Sequence, residues 1–115
     1  MKKNKYGAKK TVVNNITFAS QKEARRYSQL MLLQQVGKIN DLELQKKFIL
    51  VEPFVNKKTK EKVKPITYIC DFFYYDKDKE CYVVEDVKGM KTATYIIKKK
   101  MFLQKFGDMY DFNEI

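Results

Sequence analysis

The sequence contains no histidine, only two cysteines and two prolines, and no apolar run long enough to cross a bilayer. Without histidine, the chain has no imidazole to act as a general base or to activate a serine or cysteine nucleophile. Two cysteines alone are too few soft ligands for a structural zinc site. Histidine-dependent hydrolases are therefore excluded, and the composition argues against a structural zinc site.

The chain also lacks proline-rich linkers, repeats and low-complexity tracts that would divide it into domains. Its 115 residues lie in the common range for one domain, and 44% hydrophobic residues suffice for a modest core. We therefore expect a single domain over residues 1–115, with a basic tail at residues 1–10. The first five residues lack the apolar stretch of a secretory signal, so we expect a cytoplasmic protein.

Acidic residues are few compared with basic ones, 14 against 24, which gives a formal net charge of +10. This excess predicts a polyanionic partner and favours nucleic acid. Five lysines and one glutamate fall within residues 56–64, which we expect to form a solvated loop. Lys57 and Lys58 in this loop could reach a phosphate backbone, although an ordinary soluble hairpin tip is an equal alternative.

Hydrophobic periodicity predicts a mixed α/β fold, in which a small hairpin precedes a helix, three strands, a second helix and a last strand. The first helix has a capping serine before it and a glycine stop signal after it. The expected elements are a hairpin over residues 10–18 turning at Asn14 and Asn15, a helix from Ser20 to about Val36, strands over residues 41–51 and 66–75, a further strand-like run that ends in residues 85–89, a helix over residues 92–106 and a strand over residues 109–115.

An aspartate, Asp71, interrupts the apolar run at residues 66–75, and the next strand-like run ends in Asp86. The short polar connection between the two runs indicates an antiparallel hairpin. If a two-residue loop at Asp78 and Lys79 closes this hairpin, Asp71 falls opposite Asp86. Directly opposed residues have Cβ atoms about 4.5–5.5 Å apart, and like charges there are destabilising. Some positive group must therefore compensate for the repulsion.

Side chains alternate along a strand, so Lys88 shares a face with Asp86, while Glu85 and Val87 point to the other face. A hard cation such as Mg²⁺ or Mn²⁺ would complete the balance, held by Asp71, Asp86, the carbonyl of Val87 and several waters. Such an ion orients a phosphate and lowers the pKa of a bound water, and Lys88 would support the nucleophile or offset developing charge. The alternative is a metal-free hairpin whose acids are neutralised by Lys88 and surface lysines.

A strand aspartate followed after a hairpin by Asp86-x-Lys88 resembles the signature of the PD-(D/E)XK nuclease superfamily. Residues 5–10, 16–27, 42–48 and 84–89 further resemble a small phage and prophage family of nuclease-like proteins, so the resemblance covers nearly the whole chain. Cys70 stands where the signature has its proline. The resemblance implies a restriction-endonuclease-like core and a Mg²⁺-dependent endodeoxyribonuclease related to Holliday-junction resolvases.

The resemblance also assigns roles to residues outside the hairpin. Glu23 occupies the place of a catalytic helix acid, although Ser20 and Glu23 also form a capping box, in which Glu23 reaches back to a backbone amide. Gln45 matches a residue recurring in the resembled family, and it either lines the site or is an exposed strand glutamine. Three lysines near the second helix are candidate phosphate contacts or simply its solvated face: Lys91, Lys98 and Lys99.

Together these inferences predict an endonuclease that hydrolyses phosphodiester bonds of branched or duplex DNA in phage recombination or replication. One small domain offers one active site, which suggests a homodimer for cutting two strands. The resemblance places the protein in the cytoplasm of a bacterial host cell. Two alternatives are a non-catalytic DNA-binding accessory protein on the same fold and a basic module that contacts another phage protein or RNA.

Overall fold

The structure, a computed structural model, describes residues 9–115, which form two helices and ten strands. Most of the predicted basic tail at residues 1–10 lies outside the described residues. In chain order the elements are β1 (Thr11–Val13), β2 (Ile16–Phe18), α1 (Gln21–Gln35), β3 (Ile39–Leu44), β4 (Lys47–Val51), β5 (Phe54–Val55), β6 (Lys62–Val63), β7 (Ile66–Ile69), β8 (Phe72–Asp76), β9 (Cys81–Asp86), α2 (Ala93–Phe106) and β10 (Asp111–Glu114).

The central sheet has four strands in the order β10-β9-β8-β3. Strands β3, β8 and β9 form an antiparallel meander, and β10 returns after α2 to pair in parallel with β9. A parallel return of this kind needs a long crossover connection, which α2 supplies. The predicted mixed α/β class is confirmed, and both helices occur where the sequence predicted them.

Turn and capping residues determine where β1, β2 and α1 begin and end. Asn14 and Asn15 have φ angles of 52° and 64°, as a two-residue hairpin turn between β1 and β2 requires. The hydroxyl of Ser20 accepts a hydrogen bond of 3.1 Å from the backbone amide of Glu23 and caps α1. Gly37 follows the helix with a φ of 82°, a conformation that glycine adopts without strain.

The two helices cover opposite faces of the sheet. Tyr27 and Leu30 of α1 pack on the face that also receives Phe72, whereas Phe102 of α2 packs on the face that receives Phe73. The neighbours Phe72 and Phe73 point in opposite directions because side chains alternate along β8. The inward side of α2 carries Tyr95 and Phe102, whereas Ile96 and Leu103 are exposed.

Two predicted strands, residues 41–51 and 66–75, are each broken in the middle. Gln45 has a φ of 56°, which turns the chain between β3 and β4, and Asp71 lies at the matching break between β7 and β8. The pairing nevertheless continues across the break, because Leu44 pairs with Phe72 and Lys47 pairs with Ile69 in one register. Alternation along a sequence does not reveal a left-handed residue, so it predicted unbroken strands.

Beyond the break, β4 and β7 form a two-stranded ribbon that continues into the short pair β5 and β6. The predicted loop at residues 56–64 therefore includes strand β6 and forms the tip of a hairpin. The break places this ribbon and the four-stranded sheet on either side of Asp71. The candidate site lies at their junction.

Candidate functional site

Asp71 and Asp86 meet at the end of the hairpin made by β8 and β9. Phe72 pairs with Glu85, and continuing this register by one residue places Asp71 opposite Asp86, as the sequence predicted. The connection differs from the prediction in one respect. The strands end at Asp76 and Cys81, so four residues rather than two make the turn.

The carboxylate of Asp71 is held from two sides. Its Oδ2 accepts a hydrogen bond of 2.7 Å from the backbone amide of Val87, and Nε2 of Gln45 lies 3.5 Å from Oδ1. Burial, together with the negative charges of Asp86 and Glu23, raises the pKa of Asp71 to about 7 against the opposing effects of the Val87 amide and nearby Lys88. Near neutral pH this carboxyl group is therefore protonated in part of the molecules, and a cation beside it would keep it ionised.

Asp86 is 1% exposed and its two oxygens differ. The hydroxyl of Tyr68 donates a hydrogen bond to Oδ2. Oδ1 is buried and accepts no hydrogen bond from the described residues, although the ammonium group of Lys88 lies 3.0 Å away. The ammonium group partly neutralises this buried oxygen, and carboxylate oxygens are preferred ligands of hard divalent cations.

Lys88 extends from the chain just after β9 to the side of Asp86. Its Nζ lies 4.3 Å from the centroid of the Tyr95 ring, a cation–π contact that fixes the ammonium group near Oδ1. The hydroxyl of Tyr95 donates a hydrogen bond of 2.6 Å to Glu114 on β10. The second helix and the last strand thus position this lysine, a contribution that sequence patterns did not reveal.

Glu23 of α1 is buried beside the aspartates. Burial raises its pKa, a hydrogen bond from the backbone of Ala19 opposes that shift, and the charge of Asp86 adds to it. Glu23, Gln45 and Asp71 line one pocket of about 350 Å³. The structure therefore brings Glu23 to the aspartates, and the cap of Ser20 uses only the backbone amide of Glu23.

The acids of the site offer oxygen ligands of the kind that bind a divalent cation. Among residues 9–115, no three histidine, cysteine, aspartate or glutamate side chains converge in the manner of a ready-made metal cage. The expected ligand set is smaller, since it needs only Asp71, Asp86, a carbonyl at Val87 and waters. Oδ1 of Asp86, which is paired with the ammonium group of Lys88, and the carboxyl group of Asp71, whose pKa is raised, are oxygen ligands that suit a Mg²⁺-sized ion, so the residues fit.

The predicted phosphate contacts fall in three places. Lys98 lines a pocket of about 290 Å³ together with Lys88 and the threonines at the start of α2. Lys91 and Lys99 lie 3.2 Å and 3.0 Å from Glu114, so both are engaged in ion pairs. Lys57 and Lys58 are exposed at the tip of the ribbon and lie outside the cluster of acids.

A second buried acid, Glu85, belongs to a different group on the opposite face of β9. Arg26 donates to both of its oxygens, at 2.7 Å and 2.5 Å, and the hydroxyl of Tyr74 donates to Oε2. Strand alternation predicted that Glu85 lies on the face of β9 opposite Asp86. Its partners could not be predicted, because they depend on how α1 packs on the sheet.

No helix among residues 9–115 is both long enough and apolar enough to span a bilayer. The sequence model of a family described as Protein of unknown function (DUF1064) matches residues 3–113. No curated protein and no solved structure matches the chain.

Proposed function

This chain belongs to the DUF1064 family, whose description names no activity, and we propose from its site that it is a metal-dependent DNA endonuclease of the PD-(D/E)XK type. One observation carries the proposal. Two aspartates face each other across neighbouring strands, and the ammonium group of Lys88 lies 3.0 Å from the buried Oδ1 of Asp86. The order of helix, meander, helix and parallel strand is compatible with a restriction-endonuclease-like core, which forms part of the same proposal.

The residues divide the chemistry between them. Mg²⁺ or Mn²⁺ held by Asp71, Asp86 and the carbonyl of Val87 would supply positive charge at the phosphate and a water of lowered pKa. The amide of Val87 and the hydroxyl of Tyr68 keep the two aspartates in place. Water attacks phosphorus, the bond to the leaving sugar oxygen breaks, and Lys88 offsets the charge that develops on the phosphoryl oxygens.

Glu23 is suited to receive the proton of the attacking water, because burial raises its pKa above that of an ordinary carboxyl group. It lies in the same pocket as Asp71 and Gln45, where a water can contact both acids. Loss of this group should slow turnover without abolishing the binding of DNA. Glu23 thus acts as a proton acceptor in the proposal, with Gln45 orienting Asp71.

The net charge of +10 supports DNA as the partner. Lys98 shares a pocket with Lys88 and is placed to contact a phosphate next to the scissile one. Lys91, Lys99, Lys57 and Lys58 would bind flanking backbone. We further propose a homodimer, acting on branched or duplex phage DNA during recombination or replication in the host cell.

The decisive test is cleavage of four-way junction, flap, single-stranded and duplex DNA with Mg²⁺ or Mn²⁺. We expect Asp71→Asn and Asp86→Asn each to abolish cleavage while preserving or tightening DNA binding, because a carboxylate that repels phosphate is removed. Asp78→Asn, in the exposed turn between β8 and β9, is the matched control and should cleave normally. Unchanged cleavage by both site variants would disprove the assignment.

A second candidate function is a DNA-binding accessory protein on the same fold. The partial neutralisation of Asp86 by Tyr68 and Lys88 favours it. This candidate predicts DNA binding without cleavage of any substrate in either metal. The same assay therefore separates the two functions.

A further inference from the structure

The hairpin formed by β5, β6 and their connecting turn, residues 54–64, projects beyond the ribbon of β4 and β7, and we call it the arm. Phe54 and Val55 are each 53% exposed, so the arm is not packed into the core. Two-stranded ribbons are marginally stable in water without a covering partner. The arm therefore presents a surface that a binding partner would cover.

Charge identifies the kind of partner. Five lysines and one glutamate lie in the arm between residues 56 and 64, and all six side chains are exposed. Val63, between two of these lysines, is half-buried. A second copy of the chain would bring an arm of the same charge, and like charges oppose that pairing. A polyanion would instead gain salt-sensitive affinity from each lysine.

The arrangement of the arm favours a duplex over a single strand. Lys62 pairs with Val55, while Phe54 pairs with Val63 and points to the opposite face. Proteins that bind single strands stack successive bases on several aromatic side chains, but the arm contains one aromatic residue, on the face away from Lys62. A two-stranded ribbon fits the major groove of B-form DNA.

We propose that the arm lies in a groove of duplex DNA and binds its phosphates about one helical turn from the scissile bond. Lys57 lies 12 residues beyond Gln45, a reach of at most about 40 Å at roughly 3.3 Å per residue, against about 34–36 Å per turn of DNA. The longest dimension of the molecule, 54 Å, accommodates this reach. The inference rests on the DNA partner of the proposed function.

The arm is better suited to phosphate contacts than to reading bases. Oδ1 of Asn56, the arm's one amide side chain, already accepts hydrogen bonds of 3.0 Å and 3.3 Å from the amides of Lys58 and Thr59. The arm has no arginine or glutamine, and its lysines can pair with phosphate oxygens at any DNA sequence. Its lysines therefore contribute mainly affinity and position.

Binding of the full chain to duplexes of about 30 base pairs, measured by fluorescence anisotropy in EDTA, tests the arm separately from cleavage. K57A/K58A should weaken binding at least about tenfold at low salt and reduce the log–log salt slope by about 2. K38A/K77A removes two exposed lysines at the far end of the central sheet and should have a markedly smaller effect on both quantities. Footprinting should show that K57A/K58A loses protection on one flank only.

Circular dichroism of each variant should match the parent, since all four lysines are exposed. K57E/K58E should weaken binding further than the alanine pair. Equal losses in the arm and control variants would overturn the proposal, because bulk charge would then explain the binding. So would equal affinity for single-stranded DNA or for double-stranded RNA. If arm-dependent duplex binding persists without any cleavage, the arm is supported and the nuclease proposal fails.

Discussion

Asp71 is the residue whose charge depends most directly on its surroundings. Its pKa in the folded chain, raised to about 7 by burial and by neighbouring acids, lies above the value near 4 of a free carboxyl group. The folded state therefore keeps a proton that the unfolded state loses between about pH 4 and pH 7. Metal-free stability should fall as pH rises through this window.

We expect Asp71→Asn to abolish most of that pH dependence and to stabilise the metal-free protein at about pH 8 by roughly 1–3 kcal/mol. An asparagine can still accept the hydrogen bond from the amide of Val87, so the backbone contact survives. Thermal unfolding in EDTA at about pH 5 and pH 8 measures the effect. An unchanged difference between the two pH values in the variant would show that another group titrates.

Arg26 and Glu85 form an ion pair between α1 and the face of the central sheet that α1 covers, and the Glu85 side chain is fully buried. Removing only the arginine leaves a carboxylate that is fully buried, so Arg26→Met should cost about 3–5 kcal/mol of the free energy of unfolding. The neighbouring Arg25→Met, at an exposed position, should change it by less than about 0.5 kcal/mol.

Denaturant unfolding of Arg26→Met, Glu85→Gln and the double variant completes a double-mutant cycle. The double variant should be less destabilised than the sum of the two single variants. Strict additivity would show that the pair is not coupled.

The site could be predicted at the residue scale only in part. Asp71, Asp86 and Lys88 follow from strand alternation and from one assumed register, both of which act locally. Tyr68 and Tyr95, which hold Asp86 and Lys88, come from a ribbon and a helix whose placement depends on tertiary packing. Such partners leave no periodic signal in the sequence.

At the scale of elements, the break at Gln45 decides where the site lies. Leu44 packs beneath α1 and Phe48 beneath α2, although alternation would place both on one face. The left-handed conformation of Gln45 between them accounts for the switch. Sequence patterns predicted the helices well because their caps are local, but a single residue with positive φ has no such pattern.

Gln45→Val should destabilise the protein by about 1–2 kcal/mol, because a β-branched residue is strained at positive φ. Gln45→Gly should retain or raise the melting temperature, since glycine adopts this conformation freely. Thermal unfolding of the two variants measures the difference, with Gln45→Asn as the matched amide control. A valine variant as stable as the glycine variant would contradict the assigned backbone conformation.

At the scale of the whole molecule, the break at Gln45 and Asp71 separates two parts with different surfaces. One part is a sheet covered on both faces by helices, and the other is an open ribbon that ends in lysines. Composition gives the excess of positive charge. It could not predict where that charge is displayed, because the direction of the ribbon follows from the break at Gln45 and Asp71.

The peptide of Asp71 is anchored on both sides, since its carbonyl accepts from the amide of Gln45 at 3.1 Å and its own amide donates to the carbonyl of Glu85 at 3.1 Å. The main chain, rather than any attraction between the side chains, holds two mutually repelling acids as neighbours. The free energy for bringing them together is thus supplied during folding. An incoming ion would meet a preorganised pair of ligands and would have little rearrangement to drive.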